Sequence, residues 1–184
     1  MSEDIFDIRD VLAGLDHPTG SVDIWFDRQG GIELDRLEKE LAHEPDEKKA
    51  QKLLDEYTVK LEEYKNKKYT VHLQGIDNER KQDIQLQALK TYPFKRDAYG
   101  RDDQEQEYKR GLRLKDLIWQ AYITKIVNPE GKVQEYPGLE VIHIFTTKAP
   151  DQVIQRIDNK IAEVEKDTDI QRFGQQDADF LSKP

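Results

Sequence analysis

Ser21-Val-Asp-Ile-Trp-Phe-Asp27, then a long charged segment, then Tyr69-Thr-Val-His-Leu-Gln-Gly-Ile76, is the stretch that decides the fold. In the first run Val22, Ile24 and Phe26 alternate with Asp23 and Trp25. In the second, Tyr69, Val71 and Leu73 form one face and Thr70, His72 and Gln74 the other. Alternation of this kind marks a strand with one buried side. Between the two, Gly30-Gly31 reads as a break. A first helix is predicted from Glu33 to about Ala42, on Leu34, Leu37 and Leu41. After His43-Glu-Pro-Asp46 a second helix is predicted to about Lys65. Its stripe of Ala50, Leu53, Leu54, Tyr57, Leu61 and Tyr64 is close to a heptad seam. Two strands flanking a helical excursion can pair antiparallel and leave the hairpin, residues 33–66, projecting as an arm. Ordering a backbone residue costs about 1–2 kcal/mol, and burying a stripe residue returns about 1.5–3 kcal/mol. With so few stripe residues per ordered residue, the hairpin is expected to need a surface to dock on.

Outward from this unit the signals are mixed. Asp77 or Asn78 caps a predicted helix to about Lys90, with Pro93 at its exit. Residues 95–107 read as a polar loop. Leu112 to Val127 is the most apolar segment and is read as the core helix. Ile123–Val127, Asn128-Pro-Glu-Gly131 and Lys132-Val-Gln134 also fit a β-hairpin with a glycine-ended turn, so helix and hairpin compete over residues 122–134, with helix preferred. Leu139 to Phe145 fits a strand or a short helix. Pro150-Asp151 opens a predicted helix to about Lys166, on Val153, Ile154, Ile157, Ile161 and Val164. Residues 1–20 read as a lead-in, with a short helix over Asp4–Leu15, and 168–184 as a polar tail. The expected fold is mainly α (α+β). It is a single helical domain over 21–167, with a small antiparallel two-stranded sheet flanking the projecting hairpin.

Composition narrows the function. The chain has 184 residues, 36% of them hydrophobic and 36% charged. Globular chains average about 45–50% apolar and about 25% charged, so the core is thin for the length. Residues 1–48 hold fourteen acids and five bases, which equals the whole net charge of -9. An acidic front disfavours nucleic acid and suits docking on a basic protein surface. The chain has no cysteine, which excludes disulfides and thiolate chemistry. No apolar run reaches the roughly 18–20 residues of a membrane span, and Met1-Ser-Glu-Asp4 lacks the regions of a signal peptide. A cytosolic protein is expected.

Catalytic and metal signals are weak. His17, His43, His72 and His143 have no metal-ligand spacing, and without cysteine no zinc set is apparent. Asp23 and Asp27 bracket Trp25, as an exposed strand face would also do. Gly131-Lys132 and Gly30-Gly31 lack the frames of nucleotide-binding loops. Seven bases between Lys95 and Lys115, with Tyr99 and Tyr108, form the best nucleic-acid candidate, but six acids from Asp97 to Asp116 nearly cancel them. No catalytic residue, cofactor or metal is expected. The candidate partner-binding residues are Leu53, Tyr57, Leu61 and Tyr64, on the seam of the second hairpin helix.

The order of elements resembles the tail assembly chaperones of long-tailed bacteriophages, particularly those infecting actinobacteria. The resemblance rests on Val22-Asp-Ile-Trp-Phe-Asp27 and on Glu33-Leu-Asp-Arg-Leu-Glu-Lys-Glu-Leu41. It also uses Tyr69–Gly75, the exit at Pro93, and Leu117-Ile-Trp-Gln-Ala121 before Asn128-Pro129. The chain departs from the family's pattern at Ile84-Gln-Leu-Gln-Ala88, where an aromatic is usual, and at Thr91-Tyr-Pro93, where His-Pro-Pro is common. The resemblance implies a non-catalytic protein of the host cytoplasm. Such a protein binds the helical tape-measure protein, recruits tail-tube subunits and is absent from the finished virion. A second form made by translational frameshifting is common in the family. The alternatives are a structural virion or head–tail connector component and, behind it, a nucleic-acid-associated regulator.

Overall fold

The computed structural model describes residues 17–96 and 99–167. The helix expected over 4–15 and the tail over 168–184 lie outside the described residues. The chain is mostly helical, with one four-stranded antiparallel sheet. Strand β1 (Thr19–Ile24) leads into helices α1 (Arg28–His43) and α2 (Glu47–Asn66), and β2 (Tyr69–Gln74) follows. Helices α3 (Asn78–Thr91) and α4 (Gln104–Tyr122) come next, then strands β3 (Ile123–Val127) and β4 (Val133–Glu135). Helices α5 (Leu139–Lys148) and α6 (Asp151–Asp167) complete the described chain.

Strands β1 and β2 pair as their alternation demands, with Val22 opposite Val71 and Ile24 opposite Tyr69. The expected two-stranded sheet is incomplete, however. Strands β3 and β4 extend it in the order β1-β2-β3-β4. The helix expected to run to Val127 ends at Tyr122, and the hairpin reading of residues 123–135 holds. Residue type and strand pairing both favour this outcome. Ile123, Thr124, Ile126 and Val127 are β-branched and favour extended backbone. As a strand they set Ile126 beside Val71 and Ile123 beside Leu73, across a register irregularity at His72/Leu73. The turn is closed by Asn128, whose side chain accepts from the backbone N–H of Glu130 and Lys132. Gly131 supplies the left-handed position at φ 79°.

The helix starts are set by aspartates. Asp46, Asp77 and Asp103 each accept backbone N–H bonds from the first turn of the helix that follows. Asp27 does the same for α1, at 2.8 Å from the N–H of Gly30. That cap starts α1 ahead of Gly30-Gly31, where a break was expected. Leu139 to Lys148 resolves as helix.

One face of the sheet carries the core. Ile24, Val71, Leu73 and Ile123 pack against Trp119 and Tyr122 of α4, Ile142 of α5, and Val153, Ile157, Ile161 and Val164 of α6. A satellite cluster joins Ile84 and Ala88 of α3 to Leu117 of α4. At Gly20 a Cβ would lie 2.8 Å from Lys160 and 2.9 Å from Val164, so glycine lets α6 approach the edge strand closely. The other face bears Ser21, His72, Lys125 and Glu135 in one row across the four strands. These residues line an open polar groove of about 610 Å³. Among the described residues no helix is long and apolar enough to cross a membrane.

Candidate functional site

Helices α1 and α2 make their principal packing on each other. Neither core cluster contains a residue of either helix. Leu34 and Leu37 of α1 are buried, whereas α2 has no fully buried side chain. The hairpin meets the body at a joint around Trp25. There Tyr64 of α2 stacks on Trp25, with ring centroids 5.7 Å apart and planes within 9°. The Arg156 guanidinium of α6 lies 5.4 Å from the Trp25 ring. Lys67 reaches Asp27 at 2.6 Å, so the residue that caps the hairpin's first helix also ties down its exit. The Lys67 bond and the Gly30 N–H hold the Asp27 carboxyl below the usual carboxylate range. Burial raises the Tyr64 phenol.

Beside this joint, between the hairpin and the α5–α6 corner, lies a cleft of about 890 Å³. Trp25, Leu34, Tyr57 and Tyr64 supply aromatic and apolar wall, and Ala149, Pro150 and Val153 face them from the corner. Asp35, Glu38 and Asp151 share the lining with Arg28 and Lys148, so charges of both signs line the cleft. The Trp25 indole N–H is buried without a hydrogen-bond acceptor among the described residues.

The four seam residues share this helix but not one surface. Tyr57 and Tyr64 line the cleft. Leu53 lies in a separate groove with His43 and Lys52. Leu61 is half-buried along the same helix. Leu54, spaced for the same seam as Tyr57, Leu61 and Tyr64, is 43% exposed, and Val59 is 57% exposed. Sequence reasoning missed Trp25 as the partner of Tyr64, and it missed the α5–α6 corner. Pro150-Asp151 signals a helix start, but nothing local says what that start faces.

Several other polar groups bond within the fold. Asp23 accepts from Thr70 at 2.7 Å and pairs with Lys68 at 3.1 Å. The Thr70 bond leads in lowering its carboxyl, against a smaller opposing effect of burial. The Asp116 carboxyl is only 2% exposed. It accepts from the Thr146 hydroxyl at 2.5 Å and lies 2.7 Å from His143 Nδ1, joining α4 to α5. A buried carboxylate orienting an imidazole suits general-base chemistry, but neither the cleft nor the sheet groove includes His143. His72 is pushed below its ordinary value first by burial and then by Lys125. His43 bonds the carbonyl of Lys39 in its own helix. Among the described residues no group of three or more could hold a metal. In the basic stretch, Arg110 covers Phe94 at 4.2 Å, Arg101 covers Tyr99 at 5.2 Å, and Lys109 pairs with Glu105.

No protein-family model matches the chain, and neither a curated protein nor a solved structure does.

Proposed function

We propose that this protein is a non-catalytic assembly chaperone that holds a helical partner on its α1–α2 arm. In the fuller form of this reading, it acts in the host cytoplasm during assembly of a long-tailed bacteriophage. There it binds the tape-measure protein, helps recruit tail-tube subunits and leaves before the virion is finished. The phage assignment rests on the sequence resemblance. The observation that carries the binding role is the hairpin, an element outside both core clusters with an incompletely buried seam. An amphipathic helix needs an apolar face to cover it, and a groove beside a half-covered seam is a common way to receive one.

Co-expression with a tape-measure protein tests it. The partner is expected to stay soluble and co-purify; unchanged aggregation of the tape-measure protein overturns the reading. Leu53→Asp and Leu61→Asp are each expected to lower capture at least tenfold, about 1.4 kcal/mol, while circular dichroism shows the body still folded. Mass spectrometry of purified particles separates the alternative. A chaperone is missing from them, and a head–tail component is present in fixed ratio.

A further inference from the structure

The hairpin's attachment is narrow compared with its length. Two short connectors, residues 25–27 and 67–68, carry the chain into and out of it. At the joint are a ring stack, a guanidinium over a ring and the Asp27–Lys67 pair, and the connector residue Phe26 packs on Tyr69 and on Phe145 of α5. Arg156 also donates to the Asp23 carbonyl at 3.3 Å, so one α6 side chain fastens both the end of β1 and the Trp25 ring. Aromatic stacks and exposed cation–π contacts are individually weak. Beside the arm lies an open cleft rather than packed core. A long lever fastened at its base by a few individually weak contacts, beside an open cleft, is suited to local opening.

We propose that the α1–α2 hairpin is a hinged jaw. It turns about the two connectors to open and close the cleft over the α5–α6 corner, with the Arg156–Trp25–Tyr64 stack as its latch. This rests on the hairpin being the binding arm, and it adds how a bulky helical segment enters: the latch breaks, the cleft widens, and closure brings Tyr57 back over the occupant. The Asp27–Lys67 pair stays with the arm in both positions because both residues belong to its base. Trp25 reports the motion, since either stacking partner is lost on opening.

The chain has no cysteine, so Val59→Cys and Glu163→Cys place spin labels uniquely on the outer side of α2 and on α6. Double electron–electron resonance on the free protein is expected to give a main distance and a minor, longer one. Arg156→Ala is expected to raise the minor population roughly two- to five-fold, the range for loss of an exposed cation–π contact. Arg156→Lys, which keeps a cation, should raise it less and serves if the alanine variant folds poorly. Hydrogen exchange on the wild type gives an independent check: the joint around Trp25 and Tyr64 should exchange faster than β2 and α4. A single narrow distance unchanged by either substitution overturns the jaw, as does protection at the joint equal to that of β2. These measurements use no partner, so their failure leaves the chaperone reading standing, and failed solubilisation of the tape-measure protein leaves the jaw standing.

Discussion

Tyr122 shows how single polar atoms fix the body against which the arm works. Its ring is buried in the core, and its hydroxyl donates to Glu165 at 2.6 Å. Lys81 of α3 lies 3.4 Å from the same carboxylate, so the group ties α3, α4 and α6 together. Burial first, and the Glu165 bond second, raise the Tyr122 phenol far above its ordinary value of 10.0. The sign follows from linkage. A group whose folded pKa is raised contributes stability that is complete below the unfolded value and is lost as pH rises above it. Unfolding by urea should therefore become easier above about pH 10. Tyr122→Phe should cost about 1–2 kcal/mol at neutral pH and flatten that alkaline loss. An alkaline slope identical in both proteins would remove Tyr122 from the account. Asp158 plays a similar part, accepting from Trp119 Nε1 at 2.8 Å and Lys115 at 2.7 Å. The Tyr122, Trp119 and Lys115 bonds span 43, 39 and 43 residues of sequence, which is why none could be read from local pattern.

At the scale of elements, the two glycines of α1 separate a constraint from an accident. At Gly30 a Cβ would lie 2.7 Å from Asp27 Oδ2 and 3.0 Å from Tyr64 Cδ2, so a side chain there disturbs both the cap and the stack. At Gly31 the nearest atom is Tyr64 Oη at 3.6 Å, an ordinary contact. Gly30→Ala is expected to destabilise the hairpin by about 1–2 kcal/mol, the size of a lost cap, and to weaken the near-ultraviolet signal of Trp25. Gly31→Ala should stabilise it by about 0.5–1 kcal/mol. Equal effects in thermal unfolding would mean that the close approach at Gly30 is not what its residue type serves. The pair also shows where sequence reading stops. Gly30-Gly31 looks like a helix break, because what makes it helical is an aspartate ahead of it and a tyrosine more than thirty positions on. The seam of α2 and the alternation of β1 and β2 were legible because each is periodic and local. The end of α4 was not. Leu117 to Val127 carries apolar residues that satisfy either a helix or a strand, and the choice falls to β2, which offers Ile123 and Ile126 an open edge. The candidate site was half legible for the same reason. Tyr57 and Tyr64 are on the periodic seam, while the wall opposite them is set by how α5 and α6 meet.

For the molecule as a whole, the question is whether arm and body are one cooperative unit. Neither core cluster draws on residues 28–66. Ile24 and Tyr69 are directly opposite in the β1–β2 ladder, so the two ends of the excursion are adjacent. Cross-strand partners lie about 4.5–5.5 Å apart, a gap that a short turn spans. The body should therefore survive removal of the arm. Replacing residues 28–67 with Asn-Gly leaves a six-residue connection between Ile24 and Tyr69 and keeps every side chain of the main cluster. What is lost is the Trp25–Tyr64 stack, the Asp27 cap, the Asp27–Lys67 pair and the burial of Leu34 and Leu37. The trimmed chain is expected to unfold in one cooperative transition, with a midpoint within about 5 °C of the full chain, a shift corresponding to about 1 kcal/mol in a domain of this size. It should also lose partner capture entirely. A molten product with exposed apolar surface would mean that the hairpin is part of the core and not an arm. A trimmed chain that still solubilised the tape-measure protein would move the binding surface to the body, where the polar face of the sheet, with His72 and Lys125 in its groove, would be the next place to look.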